Sequence, residues 1–413
     1  MVRPSFRGIL NMLSSMEKMV LMHQTMRWFG PHDPVPLQHI RQAGAAGIVT
    51  ALHHIPPGEV WTKQQIQKRK REIEQAGLQW TVVESLPVHD DIKRRSGNFH
   101  SHIDHYRESL VHLAECGLRT VVYNFMPVLD WVRTDIDFEM PDQSLALRFN
   151  RIAFIAFDLF LLKRPGAEKE YNSREVKSAS EYIAKLTPEA SELLFRNVLL
   201  GLPGSDTAFT AIQVLEALET YRGIDAKTLR RNLAKFLEDI IPIAESLDIR
   251  MAIHPDDPPF PILGLPRIVS TEEDLAELFT AIPSLSNGIC FCTGSLGVRQ
   301  DNDLRGMIRR LGNRIHFLHL RNTRRDSEGN FFEADHLDGD APMPAIVRDI
   351  LDLMQRTGRS IPMRPDHGHR MLDDMHKSNY PGYSAIGRLR ALAELRGLEN
   401  GLATVYSGEF ASR

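Results

Sequence analysis

Four side chains of the kinds that bind divalent metal ions stand at or just after short apolar segments in the second half of the chain. They are His254 in "AIHPDDPP", Cys292 in "CFCTGS", His319 in "FLHLRN" and Asp366 in "RPDHGH". A lone His or Cys in such a position is more often structural, but four in succession favour one shared site. Two imidazoles, a thiolate and a carboxylate form a mixed donor set that suits zinc, iron(II), cobalt, nickel or manganese.

The chain has only three cysteines, too few for a disulfide framework, and reduced thiols are the expectation. Cys290 and Cys292 are separated by one residue, so in a strand their side chains point to the same face. Cys292 is the expected ligand because it lies nearer the carboxyl end of its segment.

Two further groups near the predicted ligands could transfer protons. His367 directly follows Asp366, and Tyr383 stands in "NYPGYSAIGRL", just after a Pro-Gly turn and before a helix. A metal ion that chelates a carboxylate and its α-hydroxyl acidifies the α-carbon proton, so that a base and an acid can remove water from a polyhydroxy acid. The same chelation can drive an aldose–ketose isomerisation, and the spacing leaves both reactions open. Packing of its own loop is the alternative role for Tyr383.

Polar and aromatic residues at the ends of the other strand-like segments could bind a sugar-like substrate, which needs many directed hydrogen bonds. These candidates are Trp28, His53, His54, Glu84, Tyr123 and Asn124. Arg321, next but one to His319, and Arg364, next but one to Asp366, could pair with a substrate carboxylate. A structural role is the alternative for each of them, and for the two arginines a structural salt bridge is equally expected.

Eight β-rich segments alternate with amphipathic segments and must position these side chains. We predict strands at residues 25–29, 47–53, 79–85, 120–126, 250–255, 288–294, 315–322 and 361–368. Eight alternating units predict an α/β fold, a (β/α)₈ or TIM barrel, whose functional residues lie at the carboxyl ends of the strands. An open doubly wound sheet is the alternative, but "RWFGPHDP" lacks the glycine-rich turn that a nucleotide requires.

Several helices carry start signals in the sequence. Thr62 precedes "KQQIQKRKREIEQAG", and Ser270 or Thr271 precedes "EEDLAELFTAI" as in a capping box. Asp33, followed by Pro34, is predicted to cap the helix in "DPVPLQHIRQAG".

We predict one barrel domain over residues 25–413, with a mostly helical insertion at residues 127–223 after the fourth strand, over the barrel mouth. This interval holds more chain than one crossover helix needs. Residues 1–24 are Met-rich but lack the continuous apolar region of a secretory signal, and we predict an N-terminal extension without a role.

The bulk composition is that of an ordinary globular protein, with 42% hydrophobic and 25% charged residues. A formal net charge of −3 gives no reason to expect a nucleic-acid partner. The sequence contains no apolar run near the roughly 20 residues that span a bilayer. Because reduced thiols are the rule in the cytosol, we expect a cytoplasmic protein, and we expect it to act on a small molecule. Homodimers are the commonest oligomers, so a homodimer is a further expectation.

Eight long motifs resemble the mannonate dehydratase family of hexuronate degradation. They run over nearly the whole chain, from about residue 26 to about residue 400: "RWFGPHDPV", "GIVTALHHIPPGEVW", "VVESLPVHDDIK", "VYNFMPVLDWVRTD", "MAIHPDDPP", "FCTGSLGVRQDND", "HFLHLRNT" and "MRPDHGHRMLDD". The resemblance implies a xylose-isomerase-like barrel and conversion of D-mannonate to 2-keto-3-deoxy-D-gluconate with loss of water, in glucuronate catabolism.

The resemblance also assigns residues. It implies Mn²⁺ or Fe²⁺ at His254, Cys292, His319 and Asp366, and proton transfer by His367 and Tyr383. We take His367 as the base at C2 and Tyr383 as the acid at the C3 hydroxyl, although the reverse roles are chemically allowed. A metal-dependent sugar or sugar-acid isomerase and a non-catalytic, metal-containing sugar-acid sensor are the alternatives.

Overall fold

The computed structural model describes residues 19–200 and 210–410, with the side chains up to residue 405. Most of the predicted N-terminal extension lies outside the described residues. Its last residues are part of the domain, because the first strand begins at His23 and Met22 is buried in the core. The backbone N–H of Met22 donates to Glu399 in the last helix at 2.6 Å. The domain boundary therefore precedes the predicted residue 25.

Twelve strands occur in the described residues. In chain order they are β1 (His23–Arg27), β2 (Gly47–Thr50), β3 (Gln79–Glu84), β4 (Thr120–Tyr123), β5 (Asp135–Glu139), β6 (Leu145–Phe149), β7 (Arg250–Ile253), β8 (Asn287–Cys292), β9 (Ile315–His319), β10 (Thr323–Arg325), β11 (Phe331–Glu333) and β12 (Pro362–Arg364). Eight of them form a closed parallel barrel in the order β1-β12-β9-β8-β7-β4-β3-β2. The predicted (β/α)₈ fold is confirmed, and each predicted segment overlaps one barrel strand.

Helices connect the barrel strands and cover the outside. The α-helices of the described residues are α1 (Leu37–Gln42), α2 (Lys63–Gln75), α3 (Asp90–Arg94), α4 (Phe99–Glu115), α5 (Arg151–Ala156), α6 (Ser173–Ile183), α7 (Pro188–Val198), α8 (Ala211–Glu219), α9 (Ala226–Ser246), α10 (Glu272–Ala281), α11 (Thr293–Gly297), α12 (Leu304–Leu311), α13 (Met343–Thr357) and α14 (Ala385–Phe410). A π-helix (Phe157–Leu162) continues α5, and there are short 3-10 helices at Ala167–Glu170, Gly312–Arg314 and Leu372–His376. None of these combines the length and apolar character that a membrane crossing requires.

The predicted helix starts have different outcomes. Thr62 and Thr271 cap α2 and α10 with complete capping boxes. Asp33 does not cap α1, which begins at Leu37. Its carboxylate instead accepts the backbone N–H groups of Phe29 and Val35, at 2.7 and 2.8 Å. Asp33 therefore shapes the loop after β1, because a short acidic side chain satisfies nearby backbone donors as readily as it caps a helix.

The interval between β4 and α9 contains helices α5 to α8, preceded by a β-hairpin of β5 and β6 that the sequence prediction did not include. These strands join β10 and β11 in a separate antiparallel sheet with the order β10-β11-β6-β5. Phe149 and Phe331 pair across this sheet, and their rings stack with centroids 5.4 Å apart. A second apolar cluster surrounds them and includes Val132, Phe154 and Ile262. The inserted segment is thereby anchored to the loops after β7 and β9.

The amino end of the barrel contains a buried histidine with a testable effect on stability. His316 on β9 lies 2.9 Å from the carbonyl oxygen of Leu285 and 3.2 Å from Arg359, measured from Nε2 and Nδ1. Burial, together with the Arg359 charge, lowers the pKa of His316 to about 3. The neutral imidazole is therefore favoured by the folded state. Its contribution to stability is complete above the unfolded pKa of 6.5 and is lost as the pH falls from 6.5 towards 3.

We expect the difference in unfolding free energy between wild type and His316→Gln to shrink by about 1.4 kcal/mol per pH unit below pH 6.5. Urea unfolding of both proteins in neutral and mildly acidic buffer measures this difference. Equal dependence on pH in the two proteins would show that His316 titrates normally in the folded state.

Candidate metal and active site

The alternation of side chains along the barrel strands places the candidate ligands inside the barrel. One fully buried interior layer consists of Val49, Val82, Val122, Ala252, Cys290 and Phe317. Residues two positions later on the same strands point the same way, one layer nearer the carboxyl end. This next layer holds Glu84, Asn124, His254, Cys292 and His319. Cys290 thus belongs to the apolar interior, and Cys292 to the polar mouth.

The predicted ligands come together at this mouth. Cys292 and His319 are register partners on β8 and β9. The Nε2 atom of His254 lies 3.2 Å from Nδ1 of His319, and the donor atoms of His254, Cys292 and His319 all lie within 4.8 Å of one another. Oδ2 of Asp366 is 3.7 Å from Nδ1 of His319. The donor atoms of two imidazoles and one thiol thus form a compact cluster, and the Asp366 carboxylate lies beside the His319 member of it.

Contacts outside the site orient both imidazole rings so that one nitrogen of each faces the metal-donor cluster. Nδ1 of His254 donates to the carbonyl oxygen of Pro255 at 2.7 Å, so Nε2 is the nitrogen that faces the site. Nε2 of His319 accepts Nε of Arg364 at 2.9 Å and lies 3.2 Å from Oε1 of Glu84, so Nδ1 is the nitrogen that faces His254 and Asp366. A metal-binding His usually donates its second N–H to an acceptor, as His254 does. The donor set therefore fits a divalent transition metal.

Local charges keep the other two donors deprotonated. Burial alone would raise the pKa of the Cys292 thiol, but Arg321 and hydrogen bonds from His254 and His319 hold it well below its ordinary value. The backbone N–H and the hydroxyl of Ser295 also donate to the Cys292 sulfur, at 3.4 and 3.3 Å. A thiolate is the form of Cys that binds metals.

We expect Cys292→Ser to weaken metal binding at least about 100-fold, because loss of even a supporting group outside the ligand set costs about 10- to 100-fold. Equilibrium dialysis against Mn²⁺ with elemental analysis measures the occupancy. Cys116→Ser is the matched control, since Cys116 is a buried free thiol at the end of α4. Equal Mn²⁺ affinity in wild type and Cys292→Ser would remove Cys292 from the ligand set.

The backbone at Asp366 explains how neighbouring residues can both reach the site. Consecutive side chains of a strand point to opposite faces, yet Asp366 and His367 line the same cavity. Asp366 has a φ of 66°, in the left-handed region that few residues other than Gly adopt. This conformation breaks the alternation directly after β12. Burial would raise the pKa of Asp366, but Arg364 and nearby cations hold it well below its ordinary value.

The two candidate proton-transfer groups pack against each other. The rings of His367 and Tyr383 meet edge to face, with centroids 5.2 Å apart and planes at 90°. Tyr383 is buried, and burial raises the pKa of its phenol. Tyr383 therefore carries its proton at neutral pH, as an acid must.

The two candidate arginines line the cavity but already have carboxylate partners. Arg364 lies 3.0 Å from Glu84 and 2.5 Å from Asp366. Arg321 lies 2.5 Å from Asp257, 3.3 Å from Glu333 and 3.4 Å from Asp366. These contacts favour the structural alternative, in which the guanidinium groups hold the acidic residues of the site.

The other predicted substrate residues divide into two groups. Glu84 and Asn124 line the cavity, whereas Trp28, His53 and His54 are not among the side chains that line it. Trp28 packs under the guanidinium of Arg69, with the cation 5.2 Å from the ring. His53 packs on Phe29, with ring centroids 5.5 Å apart, and His54 is exposed.

Tyr123 faces outward. Its ring packs against Phe236 of α9 with centroids 5.8 Å apart. Tyr123 directly follows the inward-facing Val122 on β4, so its side chain points to the opposite face of the strand.

The cavity also contains residues that the sequence reasoning missed. They are Arg27, Ser85, Met126, Asp130, Trp131 and Asp257. Trp131 is 4% exposed, and its indole N–H has no hydrogen-bond partner among the described residues. "DWVRTD" and "HPDDPP" contain three of these residues, but neither motif shows which side chain turns inward.

A second group of metal-type donors, His89, Asp91 and His102, lies outside this cavity. Its atoms are already used within the fold. Nδ1 of His89 caps α3 by accepting the N–H of Asp91 at 3.1 Å, and the Asp91 carboxylate accepts Arg94 at 2.6 Å and the N–H of Asn98 at 3.0 Å. We interpret this group as a helix cap.

The fold and the donor cluster define an α/β-barrel protein with a candidate transition-metal site at the carboxyl ends of its strands. Comparisons with known proteins agree with this description. A family model described as D-mannonate dehydratase (UxuA) matches residues 22–409. The mannonate dehydratase of Marinomonas sp. (strain MWYL1) is 53% identical over 387 residues, which cover 92% of this chain and 99% of that protein.

Two further relatives show the same similarity. The mannonate dehydratase of Chromohalobacter salexigens is 49% identical over 386 residues, which cover 92% of this chain and 99% of that protein. The crystal structure of mannonate dehydratase from Streptococcus suis serotype 2 matches with a TM-score of 0.74 at 32% identity, and the match covers 94% of this chain and 95% of that one. The chain belongs to the D-mannonate dehydratase family.

Proposed function

We propose that the protein is a metal-dependent hydro-lyase that converts D-mannonate to 2-keto-3-deoxy-D-gluconate and water, in the catabolism of glucuronate. One observation carries the proposal. In a member of the D-mannonate dehydratase family, the donors of His254, Cys292 and His319 cluster together, with Asp366 3.7 Å from His319 and the His367–Tyr383 pair in the same cavity.

These four residues would hold the metal ion. The thiolate and the two imidazoles favour a borderline transition metal over magnesium, and we propose Mn²⁺ or Fe²⁺. When bound, such an ion withdraws charge from a carboxylate and its α-hydroxyl and so acidifies the C2 proton.

The chain's own groups would then complete the elimination. His367 takes the proton from C2, and Tyr383 gives its proton to the C3 hydroxyl, which leaves as water. The C2–H and C3–O bonds break and a C2–C3 double bond forms. The resulting enol gains a proton at C3 and gives the 2-keto acid. Proton transfers by positioned groups typically contribute about 10²- to 10⁴-fold each to such a rate.

The substrate assignment is tested with a panel of hexonates. Protein loaded anaerobically with Mn²⁺ or Fe²⁺ is incubated with D-mannonate and with its C2 and C3 epimers, and 2-keto-3-deoxy acids are detected with semicarbazide. We expect D-mannonate to react fastest. Faster conversion of an epimer would replace the proposed substrate. Formation of a ketose from an added aldose or hexuronate, with no 2-keto-3-deoxy acid from any hexonate, would favour the isomerase.

We also propose a cytoplasmic location, which is supported by three free, buried cysteines and by the thiolate that the metal site needs. A homodimer and the lack of a nucleic-acid partner stay predictions.

A further inference from the structure

A buried carboxylate outside the ligand set faces the proposed base. Glu333 is the last residue of β11, and its Oε1 atom lies 3.1 Å from Nδ1 of His367. We infer that Glu333 is a positioning residue, which holds His367 in the tautomer whose Nε2 can accept a proton from the substrate. The inference rests on the proposed function of His367.

Glu333 and Arg321 compete for the Nδ1 atom of His367. Nδ1 of His367 lies 3.1 Å from the Glu333 carboxylate, an acceptor, and 2.9 Å from NH1 of Arg321, a donor. If Nδ1 carries the proton, it donates to Glu333 and leaves a lone pair on Nε2. If Nδ1 accepts from Arg321, the proton must sit on Nε2, and the ring cannot act as a base there. Glu333 therefore favours the basic tautomer and Arg321 the other one.

The packing around His367 fixes the orientation of its ring. The position of the proton on the ring therefore determines which nitrogen can act as a base. Tyr383 packs at 5.2 Å and Trp131 at 6.0 Å, measured between ring centroids. A Cβ atom on Gly382 would come within 3.0 Å of the imidazole carbon Cδ2. Nε2 lies on the side of Asp366, 3.8 Å from its Oδ1 atom. The free lone pair is thus directed towards the metal-donor side of the cavity.

Glu333 is itself fixed and ionised. It is 4% exposed, and NH2 of Arg133 donates to the same Oε1 atom at 2.9 Å. Its own carbonyl oxygen accepts Nε2 of His369 at 2.9 Å. Burial would raise the pKa of Glu333, but Arg321, His367 and Arg133 lower it to about 2. The small antiparallel sheet that contains β11 therefore places the ionised Glu333 carboxylate, as a hydrogen-bond acceptor, next to His367.

The test compares Glu333→Leu and Glu333→Gln with wild type. Leu removes the acceptor, and we expect kcat for D-mannonate to fall about 100-fold with the KM and the Mn²⁺ content unchanged. The Gln carbonyl oxygen can replace Oε1 but lacks the charge, and we expect a loss of about tenfold. Because the slowed step is removal of the C2 proton, the isotope effect on kcat with C2-deuterated substrate should rise in both variants. A purely structural role would not change it.

Glu328→Gln is the matched control, since Glu328 lies in the exposed turn before β11 and should leave kcat and the isotope effect unchanged. If Glu333→Leu does not fold, Glu333→Gln decides the matter. A wild-type kcat and isotope effect in Glu333→Gln would overturn the inference. His367→Gln distinguishes failure of the positioning role of Glu333 from failure of the proposed base. If His367→Gln is inactive while the Glu333 variants are normal, only the positioning role fails. If His367→Gln is fully active, the proposed base itself is wrong.

Discussion

Tyr383→Phe is expected to lower kcat for D-mannonate dehydration by about 10²- to 10⁴-fold, because it removes one positioned proton donor. The ring should remain in place, since its packing against His367 and Phe29 involves the ring edges and faces alone, with centroids 5.2 and 4.8 Å away. Tyr383 is not among the proposed metal donors, so the Mn²⁺ content should equal that of wild type. Steady-state kinetics with elemental analysis of the same samples measures both quantities.

Tyr380→Phe is the matched control for this prediction. Tyr380 lies on the same loop and packs on the same Phe29 ring, 5.1 Å away, but is not among the residues that line the cavity. We expect its kcat to stay near the wild-type value. Full activity of Tyr383→Phe would contradict the assignment of the acid, even if the protein dehydrates D-mannonate.

Arg133→Met is expected to destabilise the fold by about 3–5 kcal/mol, the cost of removing one partner from a buried ion pair. Arg133 is fully buried and lies 2.7 Å from Asp257 and 2.9 Å from Glu333. It also packs on Phe331, with the cation 4.8 Å from the ring centre. Replacement leaves two buried carboxylates with less compensation. Urea unfolding, followed by far-UV circular dichroism, measures the change.

The control for Arg133 is an exposed ion pair of the same type. The side chain of Arg174 is 84% exposed and lies 3.9 Å from Glu328, so Arg174→Met should change the unfolding free energy by less than about 1 kcal/mol. A similarly small change in the unfolding free energy for Arg133→Met would show that the stability of the protein does not depend on the ion pairs of Arg133 with Asp257 and Glu333.

The barrel was predictable because its signals are local. Each strand is a short apolar segment followed by polar residues, and Thr271 caps α10 through atoms three residues apart. The proximity of the candidate metal donors was predictable for the same reason. Once eight parallel strands are inferred, residues at successive strand ends must meet, and Cys292 and His319 do so as register partners.

The supporting network was not predictable from such signals. Glu333 reaches His367 only because β11 pairs with β6, and Arg133 joins them from another segment, 200 residues away from Glu333 along the chain. No periodic pattern marks a contact of this kind. Trp28 shows the opposite error. It stands at a strand end, yet its ring packs under Arg69 beside the barrel, because the strand end alone does not fix which way a side chain turns.

The most direct test of the account follows D-mannonate by proton NMR in the presence of the metal-loaded protein. Loss of the C3 hydroxyl converts C3 into a methylene group, so elimination produces a pair of upfield signals that neither D-mannonate nor any of its epimers contains. We predict that these signals grow with Mn²⁺- or Fe²⁺-loaded protein and that His254→Ala abolishes them. An unchanged D-mannonate spectrum with both metals, or conversion to an isomer without a C3 methylene group, would contradict the dehydratase.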